Sequence, residues 1–175
     1  MLSSVASLLV IRFWGITKFF KTKELYTEDI QEEKTSALAV QGVNSPGKIS
    51  PSVLSFPTLG LNLRVTSGVI IDNEWTLFDD QASWLSTSNE PGEGNVIIYA
   101  HNRPGLFGDL DKLALGDEII IDHSNGRFKY SVTDSHKVKP NEIEAVLSGE
   151  NRLTLYTCDG AFDQKRLIVI AEPSN

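Results

Sequence analysis

The side chains of this sequence that could make or break a covalent bond are one cysteine, three histidines and an arginine beside a strand. Cys158 closes the run Leu153-Thr-Leu-Tyr-Thr-Cys158 and is followed at once by Asp159-Gly160. A thiolate at the end of a buried strand, facing a glycine loop, is a competent nucleophile toward a carbonyl carbon. The same residue could equally be a small apolar core group. His101 closes another apolar run, Val96-Ile-Ile-Tyr-Ala-His101, just before Asn102-Arg-Pro104. An imidazole at a strand-to-loop edge can shuttle protons near neutral pH, or it can be an ordinary loop histidine. Arg166 opens the last apolar run, eight residues after Cys158. If those two runs pair as a hairpin, thiol and guanidinium reach one rim, where the cation would stabilise an oxyanion or hold a carbonyl. The plainer alternative is a strand-end salt bridge from Arg166 to Asp159 or Asp163. His123 lies beside Asn125-Gly126 and His136 lies among charged neighbours, so both are expected to face solvent.

Composition narrows the chemistry. The 175 residues contain a single Cys, 16 basic and 23 acidic side chains, and a formal net charge of -7. One thiol excludes an internal disulfide and any thiolate-rich metal centre. The dispersed histidines give no short ligand spacing for zinc, and no glycine-rich phosphate loop is present. The acidic balance argues against a nucleic-acid partner. Asp79-Asp80 and Glu90 with Glu93 could attract calcium, although such surface carboxylates are ordinarily just solvated. At 41% hydrophobic and 22% charged residues, the chain has the composition of one globular domain with its own core.

The elements that must position these groups read as strands. Runs rich in Val, Ile, Leu, Thr and Tyr fall at 54–59, 61–65, 69–72, 95–101, 118–122, 127–138, 152–158 and 166–171. Gly, Pro and Asn punctuate them. Asn125-Gly126 predicts a hairpin with a type I′ turn, which needs positive φ at both central residues. Helix is expected only briefly, over 107–113 and 141–147. The fold class is mostly β, an antiparallel barrel or sandwich of about eight strands.

Ahead of these strands the chain changes character. Residues 1–23 are apolar and basic, but the clean apolar run at 5–11 is far shorter than the ~20 residues a bilayer crossing takes. Arg12, Lys18, Lys21 and Lys23 follow that run, the reverse of a signal peptide's order. The stretch reads as a degenerate membrane anchor, a helix lying on a surface, or a peripheral soluble helix. Residues 24–50 read as an acidic helix running into a flexible linker, and the folded domain is expected over 51–175.

The order of His101, then Thr154-Leu-Tyr-Thr-Cys158, then Arg166 on the next strand resembles the sortases, cysteine transpeptidases of bacterial cell surfaces. Phe107-Gly-Asp-Leu-Asp-Lys-Leu113 followed by Gly116-Asp-Glu also looks like that family's segment after its histidine. The resemblance covers about 120 residues; Ala100 stands where the family usually has glycine. It implies a closed eight-stranded sortase-type β-barrel with a groove on one face, and no cofactor. The implied substrate is a secreted protein with a C-terminal Leu-Pro-x-Thr-Gly-like sorting signal. By resemblance Cys158 forms a thioacyl intermediate, His101 protonates the departing amine, and Arg166 stabilises the oxyanion. Thr157 would add a donor beside that oxyanion, and Asn102 would support the substrate. An amine from a peptidoglycan precursor or a pilin then takes the acyl group, at the outer face of the cytoplasmic membrane, with residues 1–23 as the anchor. Asp159 would oppose the thiolate and is expected to point outward. Two alternatives stand beside this reading: a sortase-like endopeptidase that mainly hydrolyses, and a non-catalytic envelope or binding module in which Cys158 is core.

Overall fold

Period-two alternation along eight strands builds the core of the protein, seen here in a computed structural model. It describes residues 47–175, apart from 73, 143, 149 and the side chain of Ala161. The N-terminal segment and most of the linker lie outside the described residues. The strands are β1 (Val53–Phe56), β2 (Leu61–Gly68), β3 (Ile70–Ile71), β4 (Glu74–Trp75), β5 (Ala82–Leu85), β6 (Asn95–Tyr99), β7 (Glu118–His123), β8 (Gly126–Val138), β9 (Arg152–Asp159) and β10 (Lys165–Pro173). Eight of them close a barrel in the order β1-β2-β5-β6-β9-β10-β8-β7, as expected. Among the described residues helix is limited to short pieces, including Phe107–Lys112 and Glu144–Leu147.

Two neighbour pairs, β2–β5 and β6–β9, run parallel, so the barrel is not purely antiparallel. The β2–β5 crossover carries the separate β3–β4 hairpin, so the apolar run expected at 69–72 belongs outside the barrel. Residues 82–85, which no sequence signal marked as a strand, take its place as β5. The β6–β9 pair places the His101 end of one strand beside the Cys158 end of the other, 57 residues along the chain.

Both faces of β6, β9 and β10 are covered. Val96, Ile98, Leu153, Leu155, Leu167 and Val169 point into the barrel core. Ile97, Tyr99, Tyr156 and Ile168 point the other way, into a second apolar cluster that takes in Trp75, Val138 and Val146. Each fully buried side chain of this size contributes roughly 1.5–3 kcal/mol. This double coverage explains why the strands read as continuous apolar runs rather than clean alternation. Tyr99 packs its hydroxyl against Gly68 and Ser83, and a Cβ on Gly68 would collide with it. Glycine inside a strand here marks a close approach.

Two expectations are corrected, the type I′ turn and the exposure of His123. The β7–β8 hairpin forms, but His123 pairs with Gly126, so its two-residue loop is Ser124-Asn125. Asn125 does not take positive φ; that conformation falls on Gly126 (φ 140), and the turn is not type I′. His123 is the reason: its Nδ1 accepts the Asn125 N–H at 3.2 Å, capping the loop from the side. His123 is also buried, because residues 48–50 lie over it. Its Nε2 donates to the Ile49 carbonyl at 2.9 Å, while Glu90 accepts the Ile49 N–H at 2.6 Å. Of the four carboxylates considered for calcium, three have other partners: Asp79 pairs with Arg103, Asp80 with Arg64, and Glu90 holds Ile49. His136 is half-exposed as expected, 2.7 Å from Asp134.

Candidate active site

Cys158 and Arg166 are direct cross-strand partners on β9 and β10. Alternation puts Cys158, Tyr156, Arg166 and Ile168 on the outer face of the barrel. Cys158, Tyr156 and Arg166, together with Tyr99, Trp75 and Pro140, border a cavity of about 360 Å³ that also includes Glu74 and Leu77 in its wall. Trp75 stacks on Tyr156 with centroids 4.9 Å apart and meets Tyr99 edge-on at 4.7 Å. These contacts fasten the β3–β4 hairpin over the cavity, at about 0.5–1.5 kcal/mol per aromatic pair beyond area burial.

The loop joining β9 to β10 aims the guanidinium. Phe162 (φ 59) and Asp163 (φ 56) both adopt the left-handed region, costing on the order of 1–2 kcal/mol each. Arg166 Nη1 donates to the Asp163 carbonyl at 2.7 Å and to the Lys165 carbonyl at 2.9 Å. The strained turn thus supplies an acceptor that keeps the cation at the lip beside the thiol.

His101 is half-buried and lies two residues beyond the end of β6. Tyr99 is in register with Tyr156, so His101, two residues on, is level with Cys158 on the adjacent strand. Parallel neighbours lie about 4.8 Å apart. Two side chains stitch the strand ends together. Thr157 Oγ1 donates to the Ala100 carbonyl at 2.8 Å, and Asn102 Nδ2 donates to the Cys158 carbonyl at 2.7 Å. The Thr157 proton is therefore engaged by β6, not free for an oxyanion as expected from sequence. The His101 carbonyl accepts from the N–H groups of Arg103 and Phe107, fixing the loop behind the histidine. His101 itself is not among the residues in the wall of the 360 Å³ cavity.

Asp159 projects to the face opposite Cys158. It points away from the thiol as expected, but is largely covered, in a small recess with Asn102, Phe107 and Leu167, and pairs with Lys137 at 2.9 Å. Tyr99 is pushed up to about 12, chiefly by burial, which keeps it a neutral phenol. Tyr156 is raised for the same reason, with Arg166 opposing the shift.

Burial pushes the Cys158 thiol above its ordinary value, Arg166 pulls it down, and Asp163 adds a smaller push upward. The anion is the form that burial disfavours and the guanidinium favours. Alkylation of native Cys158 by iodoacetamide is expected to rise about tenfold per pH unit through neutrality, with a midpoint above the ~8.5 of a free thiol. Arg166→Gln should move that midpoint up and Asp163→Asn should move it down. A wild-type midpoint below that of a free thiol would contradict this electrostatic picture.

The Sortase domain family model matches residues 54–174, more than half of the chain. The chain belongs to the sortase family. It is 25% identical over 124 residues to sortase A of Listeria monocytogenes, covering 68% of this chain and 54% of that relative. It thus spans about half the length of that curated relative. The solved structure of Listeria monocytogenes sortase A aligns with a TM-score of 0.61 at 23% identity, over 73% of this chain and 89% of that one. Sortase C of Clostridium perfringens with the C-terminal cell wall sorting motif aligns with a TM-score of 0.58 at 20% identity, over 73% and 71%. Both structural likenesses concern the fold.

In this sortase, sequence reasoning found the polar groups and missed the walls. Tyr156 could have been read, because it stands two residues before Cys158 on one strand and so shares its face. Tyr99 has the same relation to His101. Trp75, Glu74 and Leu77 carried no such signal, since their position depends on a hairpin held by stacking on Tyr99 and Tyr156 and by the bond from Ser83 to the Thr76 carbonyl.

Proposed function

We propose that the protein is a cysteine transpeptidase that cleaves a C-terminal Leu-Pro-x-Thr-Gly-like sorting signal and passes the acyl group to an amine. The observation that carries this reading is the cross-strand pairing of Cys158 with Arg166 on the wall of one cavity, with the His101 strand end stitched alongside. The Cys158 thiolate attacks the scissile carbonyl carbon, and Arg166 faces the negative charge that develops on its oxygen. His101, level with Cys158, gives a proton to the departing amine and later takes one from the incoming amine. Thr157 and Asn102 act as positioning residues, through their bonds to Ala100 and to the Cys158 carbonyl. The largely apolar cavity beside the thiol suits the Leu-Pro part of an extended peptide.

The substrate class is supported by the fold shared with the Clostridium perfringens enzyme described with a C-terminal cell wall sorting motif. The acceptor in this reading is a peptidoglycan precursor or a pilin amine. Both place the work in the cell envelope, at the outer face of the cytoplasmic membrane, with residues 1–23 as the anchor. No helix among the described residues is long and apolar enough to cross a membrane.

Product analysis tests the reaction type. The full chain, a Leu-Pro-x-Thr-Gly peptide and a primary amine should yield the amine-ligated peptide as main product. Hydrolysed peptide alone, at saturating amine, would favour the endopeptidase reading over transfer.

A further inference from the structure

Any amine acceptor faces an electrostatic obstacle at this site. A lysine-type amine is an ammonium at neutral pH, with an ordinary pKa near 10.4. Arg166 stands beside the thiol it must reach. Two cationic groups repel each other, so an approach past Arg166 alone is unfavourable. Among the described residues Glu74 is the one carboxylate in the wall of the cavity that holds Cys158 and Arg166. Among the described residues it has no ion-pair or hydrogen-bond partner for its side chain, whereas Asp79, Asp80 and Asp159 are each held by a basic group.

A second cavity of about 400 Å³ shares Glu74 and Trp75 in its wall with the first and is further lined by Ile71, Asp72 and Thr76. Its rim is acidic, through Asp72 and Glu74, while Ile71 beside it is 57% exposed and Leu77 38% exposed. Carboxylate beside exposed aliphatic surface is the chemistry of a charged head on an apolar stem.

We propose that Glu74 selects the acyl acceptor: it receives the ammonium of a primary amine carried on an aliphatic stem and admits it to Cys158 through the cavity beside Asp72 and Ile71. This rests on the transpeptidase reading given above. The ammonium loses one proton to a base, its nitrogen lone pair bonds to the thioester carbonyl carbon, and the carbon–sulfur bond breaks. Cys158 leaves as thiolate and takes up the second proton that the nitrogen gives up, and the product is an amide. Glu74 stays a carboxylate throughout and contributes attraction that offsets Arg166.

The test compares two nucleophiles with the full-length enzyme and saturating Leu-Pro-x-Thr-Gly peptide. Nα-acetyl-lysine amide carries one ammonium on a four-carbon stem; hydroxylamine is largely uncharged at neutral pH. Glu74→Gln is expected to raise the KM for the lysine amide about three- to fivefold, the range for an exposed ion pair, and to leave that for hydroxylamine in place. Glu74→Lys should raise the lysine amide KM further. Salt should weaken lysine amide use in the wild type and do so less in Glu74→Gln. An equal shift for both nucleophiles, or no shift for either, overturns the proposal while leaving the transpeptidase reading intact. Failure of wild-type Cys158 to form an acyl adduct at all would overturn that reading, and the acceptor role with it.

Discussion

Cys158→Ala is expected to reduce acyl transfer from a sorting-signal peptide by at least ~10⁴-fold, to the level of the uncatalysed reaction. Removing the nucleophile from a covalent mechanism leaves only binding and oxyanion stabilisation, and these act on an attack that no longer occurs. The fold should survive, because Cys158 is half-buried at the end of β9, outside both apolar clusters. Losing one sulfur there falls within the ordinary cost of ~1 kcal/mol for a point change, or a few degrees in Tm. The Asn102 bond is made to the Cys158 backbone carbonyl and persists in the variant. Transfer kinetics together with thermal melting check both halves. A large loss of stability would return Cys158 to the role of a core residue.

Arg166→Ala should cost about 10²–10³-fold in kcat/KM, the range for removing one donor to a developing oxyanion. Two effects coincide. The thiol loses the cation that opposes its burial, and the scissile oxygen loses its facing charge. Arg166→Lys separates them: it keeps the positive charge but not the planar fork that also bonds the Asp163 and Lys165 carbonyls. An intermediate rate with a nearly normal thiol titration is expected for lysine. Equal loss in alanine and lysine would mean that geometry dominates charge. Wild-type rates in Arg166→Ala would remove the residue from the mechanism.

The polar parts of the site were legible because strands convert spacing into position. Cys158 and Arg166 flank one short loop, so pairing the two runs was enough to predict that they meet, and they are direct partners. The link between His101 and Cys158 was legible only through family resemblance, since nothing local joins residues 57 apart on parallel strands. The roles of Thr157 and His123 were not legible. Each depends on which group a side chain meets across the fold: the Ala100 carbonyl for one, and Ile49 with the Ser124-Asn125 loop for the other. β5 escaped notice because Ala82-Ser-Trp-Leu is only four residues long; it is a strand because it sits between β2 and β6, which supply its pairing. The aromatic hairpin over the cavity is likewise a product of tertiary stacking.

Mass spectrometry of the wild-type protein incubated with a Leu-Pro-x-Thr-Gly peptide and no amine tests the central claim most directly. The account predicts a thioester adduct whose added mass is the acyl fragment up to the threonine, located on the peptide that contains Cys158 and released by hydroxylamine. Absence of an adduct while native Cys158 still reacts with iodoacetamide, or an adduct on any other residue, would contradict it.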